Sequence, residues 1–321
     1  DFEEMIDKNF YLIGGSKFFG SGKIIFFLKN NLNYSYENFN FIETQKSNIG
    51  IIKKLLKIKK NSKILFQPSI SFPAFLRDIL IVLFIRYKTN DLTFILCVDI
   101  CFKNPFLKFR IFRKIFFSNR KVISIASFSQ RVEKQISIKP FFEKRDLTIS
   151  TVNNTFLPLA ALHLGYFTRM KGWYKFCDLV KSSTEPIQAF SIGSAKIKNS
   201  NLISRNHKIL YASNTKNIES SVESISKKFF PCLIFLSNED FAPLIVLEAG
   251  YWGVPIVCIR KTKGEQILSR FLPNNCFIVI DSLDQLFQVK EKLIISRKKM
   301  FNFIENFNER TFYKRVLEIL D

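Results

Sequence analysis

The feature that most constrains this chain is an alternation of two hydrophobic periods. Short, almost uninterrupted apolar runs, fit for strands buried on both faces, are followed by longer stretches whose apolar residues recur every three or four positions. Strands that take turns with amphipathic helices pack as parallel sheets covered by those helices. In the first half the spacing predicts strands at 10–13, 63–67, 92–98 and 122–126, with helices at 23–30 and 74–87. A second series starts near residue 157. It predicts strands at 160–164, 187–192, 208–212, 232–236, 256–258 and 276–280, helices at 173–181, 218–227, 243–251 and 283–292, and one or two helices over 299–320. At 321 residues the chain suits two doubly wound α/β domains with a boundary near residue 155. Ligands of such sheets bind at the carboxyl ends of the strands, which in a two-domain protein means the cleft between the domains.

Charge narrows the partners. Lysine and arginine number 49 against 27 acidic residues, a formal net charge of +22. That field favours nucleic acid, anionic lipid headgroups or phosphorylated small molecules. An AT-rich coding bias explains part of the lysine excess and the 37 phenylalanines. No RNA-binding aromatic motif, zinc-finger spacing or long basic tail is present, so nucleic acid is not expected as a partner. No apolar run reaches the ~18 residues of a membrane span. The longest, 79–85, is flanked by Arg77, Asp78, Arg86 and Lys88 and reads either as a buried helix or as one dipping into a membrane surface. Without a signal-peptide pattern the expected compartment is the cytoplasm, with a peripheral position on the inner face of the cell membrane. The cysteines at 97, 101, 177, 232, 258 and 276 mostly sit in apolar surroundings and are expected to be reduced core thiols. With only His163 and His207 available, no histidine-rich metal centre is expected, and no metal site is assigned.

Two stretches carry chemistry. GGSKFFGSGK, residues 14–23, follows a strand and precedes a helix, as a phosphate loop should. The ATPase pattern needs glycine where Lys17 stands and a hydroxyl where Ile24 stands, so that reading fails. What remains is a glycine-rich turn, with Gly15 close to a ligand, or a tight turn without one. The second stretch, SNEDFAPLIVLEAGYWGVP, spans 237–255 and places Glu239, Asp240 and Glu248 at the mouth of an apolar run. Pro243 suits an early helix position and contributes no N–H, while the free amide groups of Phe241, Ala242 and Leu244 around it at such a start favour an anion such as diphosphate. A carboxylate at Glu248 can accept two hydrogen bonds from vicinal ribose hydroxyls, and Glu239 or Asp240 can reach a second sugar. The same acids also suit an ordinary helix cap and a solvent-facing glutamate.

The segment from Ser237 to Ala249, followed by Gly253-Val254-Pro255, resembles the signature of the family 4 glycosyltransferases, which carries two acids with seven residues between them, the second in Glu-Ala, and a Gly-x-Pro turn. Asp240 and Glu248 have that spacing, whereas the residue type of the first acid favours Glu239. HLGYFTRMKGWY, 163–174, is similar to the family's Gly-Arg-(four residues)-Lys-Gly loop, whose two cations hold the donor diphosphate. Gly165, Lys171 and Gly172 match, Tyr166 stands at the arginine position, and Arg169 lies in the same loop. KVISIASFS at 121–129 and TVNN at 151–154 resemble the elements that close the first domain. TKGE at 262–265, with Gly264, sits where the family has a glycine-rich loop facing the donor. The family's acceptor-side histidine is missing, and Asp99 follows the matching strand.

The resemblance implies the GT-B architecture: an acceptor-side Rossmann-like domain over 1–155, a nucleotide-sugar-binding one over 156–305, and a final helix within 306–321 crossing back to the first. It implies a retaining, metal-independent transfer of sugar from a UDP- or GDP-linked donor to a glycan or lipid-linked acceptor, with no other cofactor. Lys171, Arg169, Glu239 and Asp240 would do the catalysis. Glu248, Gly165, Gly264, Gly15 and residues 241–244 would bind the donor, with Asp99 on the acceptor side. Surface polysaccharide or lipopolysaccharide assembly is the implied setting. Two rival readings are a nucleotide-sugar binder without turnover and a basic protein that binds nucleic acid or membrane.

Overall fold

The computed structural model describes residues 9–15, 21–44, 48–68, 72–96, 114, 116–118, 120–125, 135–138, 156–194, 205–212, 215–238, 243–305, 307 and 309–320. The chain forms two compact units, one of residues 1–140 with 309–321 and one of residues 141–308. The boundary expected at residue 155 lies outside the described residues.

The first unit is built on six parallel strands: β1 (Phe10–Gly14), β2 (Phe39–Glu43), β3 (Lys63–Phe66), β4 (Leu92–Leu96), β5 (Lys121–Ile125) and β6 (Gln135–Ile138), in the order β2-β1-β3-β4-β5-β6. β1, β3 and β4 are buried along their whole length, as central strands covered on both faces must be, Lys63 and Thr93 included. Helices α1 (Ser21–Ser35), α2 (Asn48–Leu56) and α3 (Phe72–Lys88) connect the first four strands. From β1 the chain steps one way to β2 and then back past it to β3 and β4. Right-handed crossovers therefore put α1 on one face and α2 and α3 together on the other. Strands β2 and β6 and helix α2 are not among the elements expected from the sequence. β2 is an edge strand whose FNFIE sequence is only partly buried, so it lacks the solid apolar run that marks the central strands.

The last helix of the chain, α9 (Glu309–Leu320), belongs to this first unit. Its apolar residues Phe312, Val316, Ile319 and Leu320 follow helical spacing and are all buried. It packs on β5 and meets α1 through the Phe27–Phe312 ring pair, 6.0 Å between centroids. Lys121 Nζ on β5 donates to the Ile319 carbonyl at 2.8 Å, a cation at a helix C-terminus, where the dipole favours it.

The second unit holds β7 (Leu159–Leu164), β8 (Gln188–Gly193), β9 (His207–Tyr211), β10 (Phe230–Ile234), β11 (Ile256–Ile259) and β12 (Phe277–Ile280). They run parallel in the order β12-β11-β10-β7-β8-β9, which is the Rossmann order, with its switch point between β7 and β10. The helices are α4 (Trp173–Ser182), α5 (Thr215–Ser226), α6 (Leu244–Tyr251), α7 (Lys263–Phe271) and α8 (Lys290–Ile304). The helix expected over 283–292 is instead a short 3-10 turn at Leu283–Leu286, with α8 starting at Lys290. Cys177, Cys232, Cys258 and Cys276 are free and buried, and burial pushes the Cys177 and Cys258 thiols up to about 12. Cys97 and Cys101 lie outside the described residues. Among the described residues no helix is long and apolar enough to cross a membrane.

Candidate active site at the switch point of the second sheet

Strand β7 ends in a loop whose path is set by two glycines. Gly165 takes φ +117°, and its N–H donates to the Ile192 carbonyl at 2.9 Å. Its own carbonyl lies against Gly193, at the end of β8, where any Cβ would come within 1.7 Å of that oxygen. Gly172 closes the loop at φ +76°, where a Cβ would sit 2.2 Å from the Leu236 carbonyl oxygen. Only glycine combines left-handed backbone with such an approach. Gly172 is also the N-cap residue of α4.

Between them the loop is strapped to the end of β10. The Arg169 carbonyl accepts from Asn238 Nδ2 at 2.7 Å. The Met170 carbonyl accepts from the Asn238 N–H at 2.8 Å and from Ser237 Oγ at 3.1 Å. The Lys171 carbonyl takes a hydrogen bond from His163 Nε2 at 3.2 Å, and the Lys171 N–H donates to Thr168 Oγ1 at 3.3 Å. Three consecutive carbonyls thus have fixed partners, which fixes the backbone carrying Arg169 and Lys171. Lys171 is half-buried and Arg169 exposed, with the guanidinium 5.8 Å from the centre of the Tyr174 ring. Tyr166, at the position where the resemblance leads one to expect arginine, is exposed.

In the sequence His163 counts only as one of two histidines, too few for a metal centre, and nothing there marks Ser237 and Asn238 as straps. The signal for His163 was a polar residue inside an otherwise apolar strand. Because a carbonyl can only accept, its Nε2 carries the hydrogen, and its buried Nδ1 has no partner. Burial lowers its pKa to about 4, although the Lys171 carbonyl favours the protonated ring. His207, whose Nε2 lies 2.8 Å from Ser191 Oγ, is lowered to about 4 by burial as well. The two imidazoles flank Phe176, and Trp173 Nε1 donates to the same Ser191 hydroxyl at 3.1 Å.

A folded pKa below the unfolded value means that the unfolded chain binds the extra proton first. Stability from His163 is therefore present above about pH 6.5 and lost as pH falls towards about 4. Urea unfolding at stepped pH is expected to show this, with His163 adding at most ~1.4 kcal/mol per pH unit to the slope in that window. His163→Gln should flatten that part of the profile, and an unchanged slope in the variant would refute the buried neutral ring.

Two further helix starts reach the same end of the sheet. α6 follows β10, and its N-cap residue, Pro243, provides no side-chain cap for the first-turn amides. Glu248 lies half-buried one turn into α6. Gly264 approaches the Phe235 carbonyl so closely that a Cβ would lie 2.6 Å from the oxygen. The segment 262–265, expected as a glycine-rich loop, is instead the start of α7: Thr262 Oγ1 accepts from the Glu265 N–H, and Glu265 Oε2 accepts from the Lys261 N–H. The Thr-x-x-Glu spacing is a capping signal, and it outweighs the glycine.

Gly165, Arg169, Lys171, Pro243, Leu244, Glu248 and Gly264 therefore belong to loops and helix starts that follow β7, β10 and β11. Gly15 lies in the first unit, after β1, its N–H donating to Gln67 Oε1 at 3.3 Å. Glu239, Asp240, Phe241, Ala242 and Asp99 lie outside the described residues, as do 126–129 and 151–154. No group of three or more His, Cys, Asp or Glu suited to a metal ion occurs among the described residues.

No family model and no curated protein matches the sequence. Solved structures do match. TarM is 15% identical with a TM-score of 0.58, over 85% of this chain and 57% of TarM, so the chain spans less than two thirds of that protein. WaaG, a glycosyltransferase involved in lipopolysaccharide biosynthesis, is 11% identical with a TM-score of 0.63, over 97% of this chain and 99% of WaaG. An alpha-glucosyltransferase in complex with UDP and a 13-mer DNA is 11% identical with a TM-score of 0.60, over 97% and 99%. With its two parallel six-stranded sheets and these likenesses over nearly its full length, the chain has the GT-B fold.

Proposed function

We propose that this protein is a retaining glycosyltransferase that moves a sugar from a UDP- or GDP-linked donor to a glycan or lipid-linked acceptor at the cytoplasmic face of a membrane, in surface polysaccharide or lipopolysaccharide assembly. The observation that carries the reading is the strapped loop with Lys171 at the switch point of a Rossmann-ordered sheet, where nucleotides bind in such sheets. As the sugar–phosphate bond breaks, negative charge builds on the departing nucleoside diphosphate. In this reading Lys171, assisted by Arg169 and by the first turn of α6, to which Pro243 offers no side-chain cap, stabilises it, and a fixed backbone spares the reorganisation that a mobile lysine would need. In this reading Glu248 accepts hydrogen bonds from the nucleotide ribose, and Glu239 or Asp240 holds the donor sugar. The family likeness implies no metal, the diphosphate charge being met by these cations and amides.

Glu248→Gln keeps the shape of the side chain and removes its charge. It is expected to cut transfer at least about tenfold with an unchanged unfolding midpoint, the size of effect of losing a hydrogen bond to a charged acceptor. Wild-type turnover in that variant would remove Glu248 from the site. A thermal-shift series with UDP-, GDP- and ADP-sugars identifies the donor through the stabilisation that binding brings. Acceptor tests belong on glycans, lipid-linked saccharides and also duplex DNA, since the chain carries +22 and one structural neighbour was solved with DNA.

Tyr166 favours a second reading, a protein that binds a nucleotide-sugar without turnover, because tyrosine cannot replace the bidentate contact of an arginine. Donor binding with neither hydrolysis nor transfer would select it.

A further inference from the structure

Helix α3 is apolar on the face turned to the sheet and apolar again on the face turned to water. Towards the sheet it buries Ile81, Val82 and Ile85, together with Asp78, which pairs with Arg77 at 2.9 Å. On the opposite side Leu76, Leu80, Leu83 and Tyr87 are 50%, 69%, 50% and 78% exposed. At 3.6 residues per turn these four fall within an arc of roughly 60°, centred about opposite the buried set. A helix that covers a sheet carries polar residues at these positions as a rule. Arg86 and Lys88 fall on the two flanks of the stripe.

The neighbouring helix extends the pattern. α2 packs against α3 on the same face of the sheet and exposes Ile52 and Leu56, 56% and 60% accessible. Lys53, Lys54, Lys57, Lys59 and Lys60, on α2 and just after it, are all exposed. Across residues 48–60 and 72–88 the one acid is Asp78, which is buried and ion-paired. The face therefore shows apolar side chains bordered by cations, with no exposed acid.

That charge pattern selects among occupants. Protein interfaces are depleted in lysine and balance their rims with both signs. An anionic bilayer asks for the arrangement seen here, leucine and tyrosine for the headgroup–acyl boundary and lysine for the lipid phosphates. We propose that the α2–α3 face of the first unit is a docking surface for an anionic lipid bilayer. Leu76, Leu80, Leu83 and Tyr87 enter the interfacial layer, and the lysines at 53, 54, 57, 59 and 60 meet headgroup phosphates. The proposal rests on this face alone and stands or falls separately from the transferase reading.

The test is co-sedimentation of the full chain with phosphatidylcholine vesicles, with and without about one-third phosphatidylglycerol. Binding to the anionic vesicles is expected to be at least about tenfold stronger, and weakened by salt. The variant carrying Leu80→Asp and Leu83→Asp should lose at least about tenfold in partition, since it removes apolar contact and adds repulsion. Both positions are exposed, so its circular dichroism and unfolding midpoint should match the wild type. Lys53→Glu with Lys57→Glu should abolish the preference for anionic lipid. Equal sedimentation with and without vesicles would overturn the proposal, as would wild-type binding by the leucine variant. Free phosphate failing to compete supports a bilayer over a simple anion site, and full competition by millimolar phosphate overturns it. A self-association dispersed by the leucine changes, without vesicle binding, would assign the face to a second copy of the chain instead.

Discussion

Lys171→Ala is expected to lower transfer on the order of a hundredfold, the size of effect seen when one fixed donor to developing charge is removed. Such a loss corresponds to about 2.7 kcal/mol of transition-state stabilisation. The protein should remain folded, because the straps act on the backbone: the carbonyls of Arg169, Met170 and Lys171 keep their partners Asn238, Ser237 and His163 whatever side chain stands at 171. Initial rates over a range of donor concentrations give the check. The loss should fall on kcat, because the interaction strengthens as diphosphate charge develops, with a smaller change in KM. A variant with unchanged kcat and raised KM would make Lys171 a ground-state contact only, and wild-type kinetics would remove it from the site.

Gly193→Ala carries the second large effect, and it is structural. The new Cβ would lie 1.7 Å from the Gly165 carbonyl oxygen, a backbone atom at the root of the Lys171 loop, so β7 or β8 must shift at its end. Overpacking against backbone costs about 3 kcal/mol, which for a unit of this size lowers the midpoint by roughly 6–12 °C. Gly165→Ala gives the comparison. It meets no atom within 4 Å but keeps φ at +117°, so only backbone strain applies and the expected cost is smaller, about 1–2 kcal/mol. Thermal denaturation of the two variants checks the order. Equal midpoints would show that the two strand ends are not in the tight contact described. Where Gly193→Ala still folds, its donor affinity should drop more than that of Gly165→Ala, since the displaced carbonyl belongs to the loop.

The sequence made the central strands of both sheets legible through their burial, and it also reached the wetter edge strand β9. Strands β3, β4, β7 and β10 are buried from end to end, and mostly apolar runs, broken only by Lys63, Thr93 and His163, betray them. Edge strand β2 is half wet and was missed for that reason. The missed helix α2 presents Ile52 and Leu56 to water beside the buried Ile51 and Leu55, so its periodicity is blurred by the feature that makes its surface unusual. At 262–265 a glycine suggested a loop, while the Thr262 and Glu265 caps formed a helix.

Within the candidate site, Lys171 and Glu248 could be singled out because their residue types and spacing follow a pattern. The partners that hold the loop could not. His163, Ser237 and Asn238 act through hydrogen bonds to backbone carbonyls 8, 67 and 69 residues away, and such bonds leave no spacing to read. The sequence by itself determined the parallel α/β layers, because hydrophobic period is a local property of strands and helices. Tertiary structure alone decided that β7 and β10 lie side by side at the switch point. It also decided that three carbonyls of one loop find donors on β7 and just beyond β10, and that one face of α3 stays uncovered. Each of these depends on which surfaces are left over once the apolar runs have packed, and that is a property of the whole sheet rather than of any segment in it.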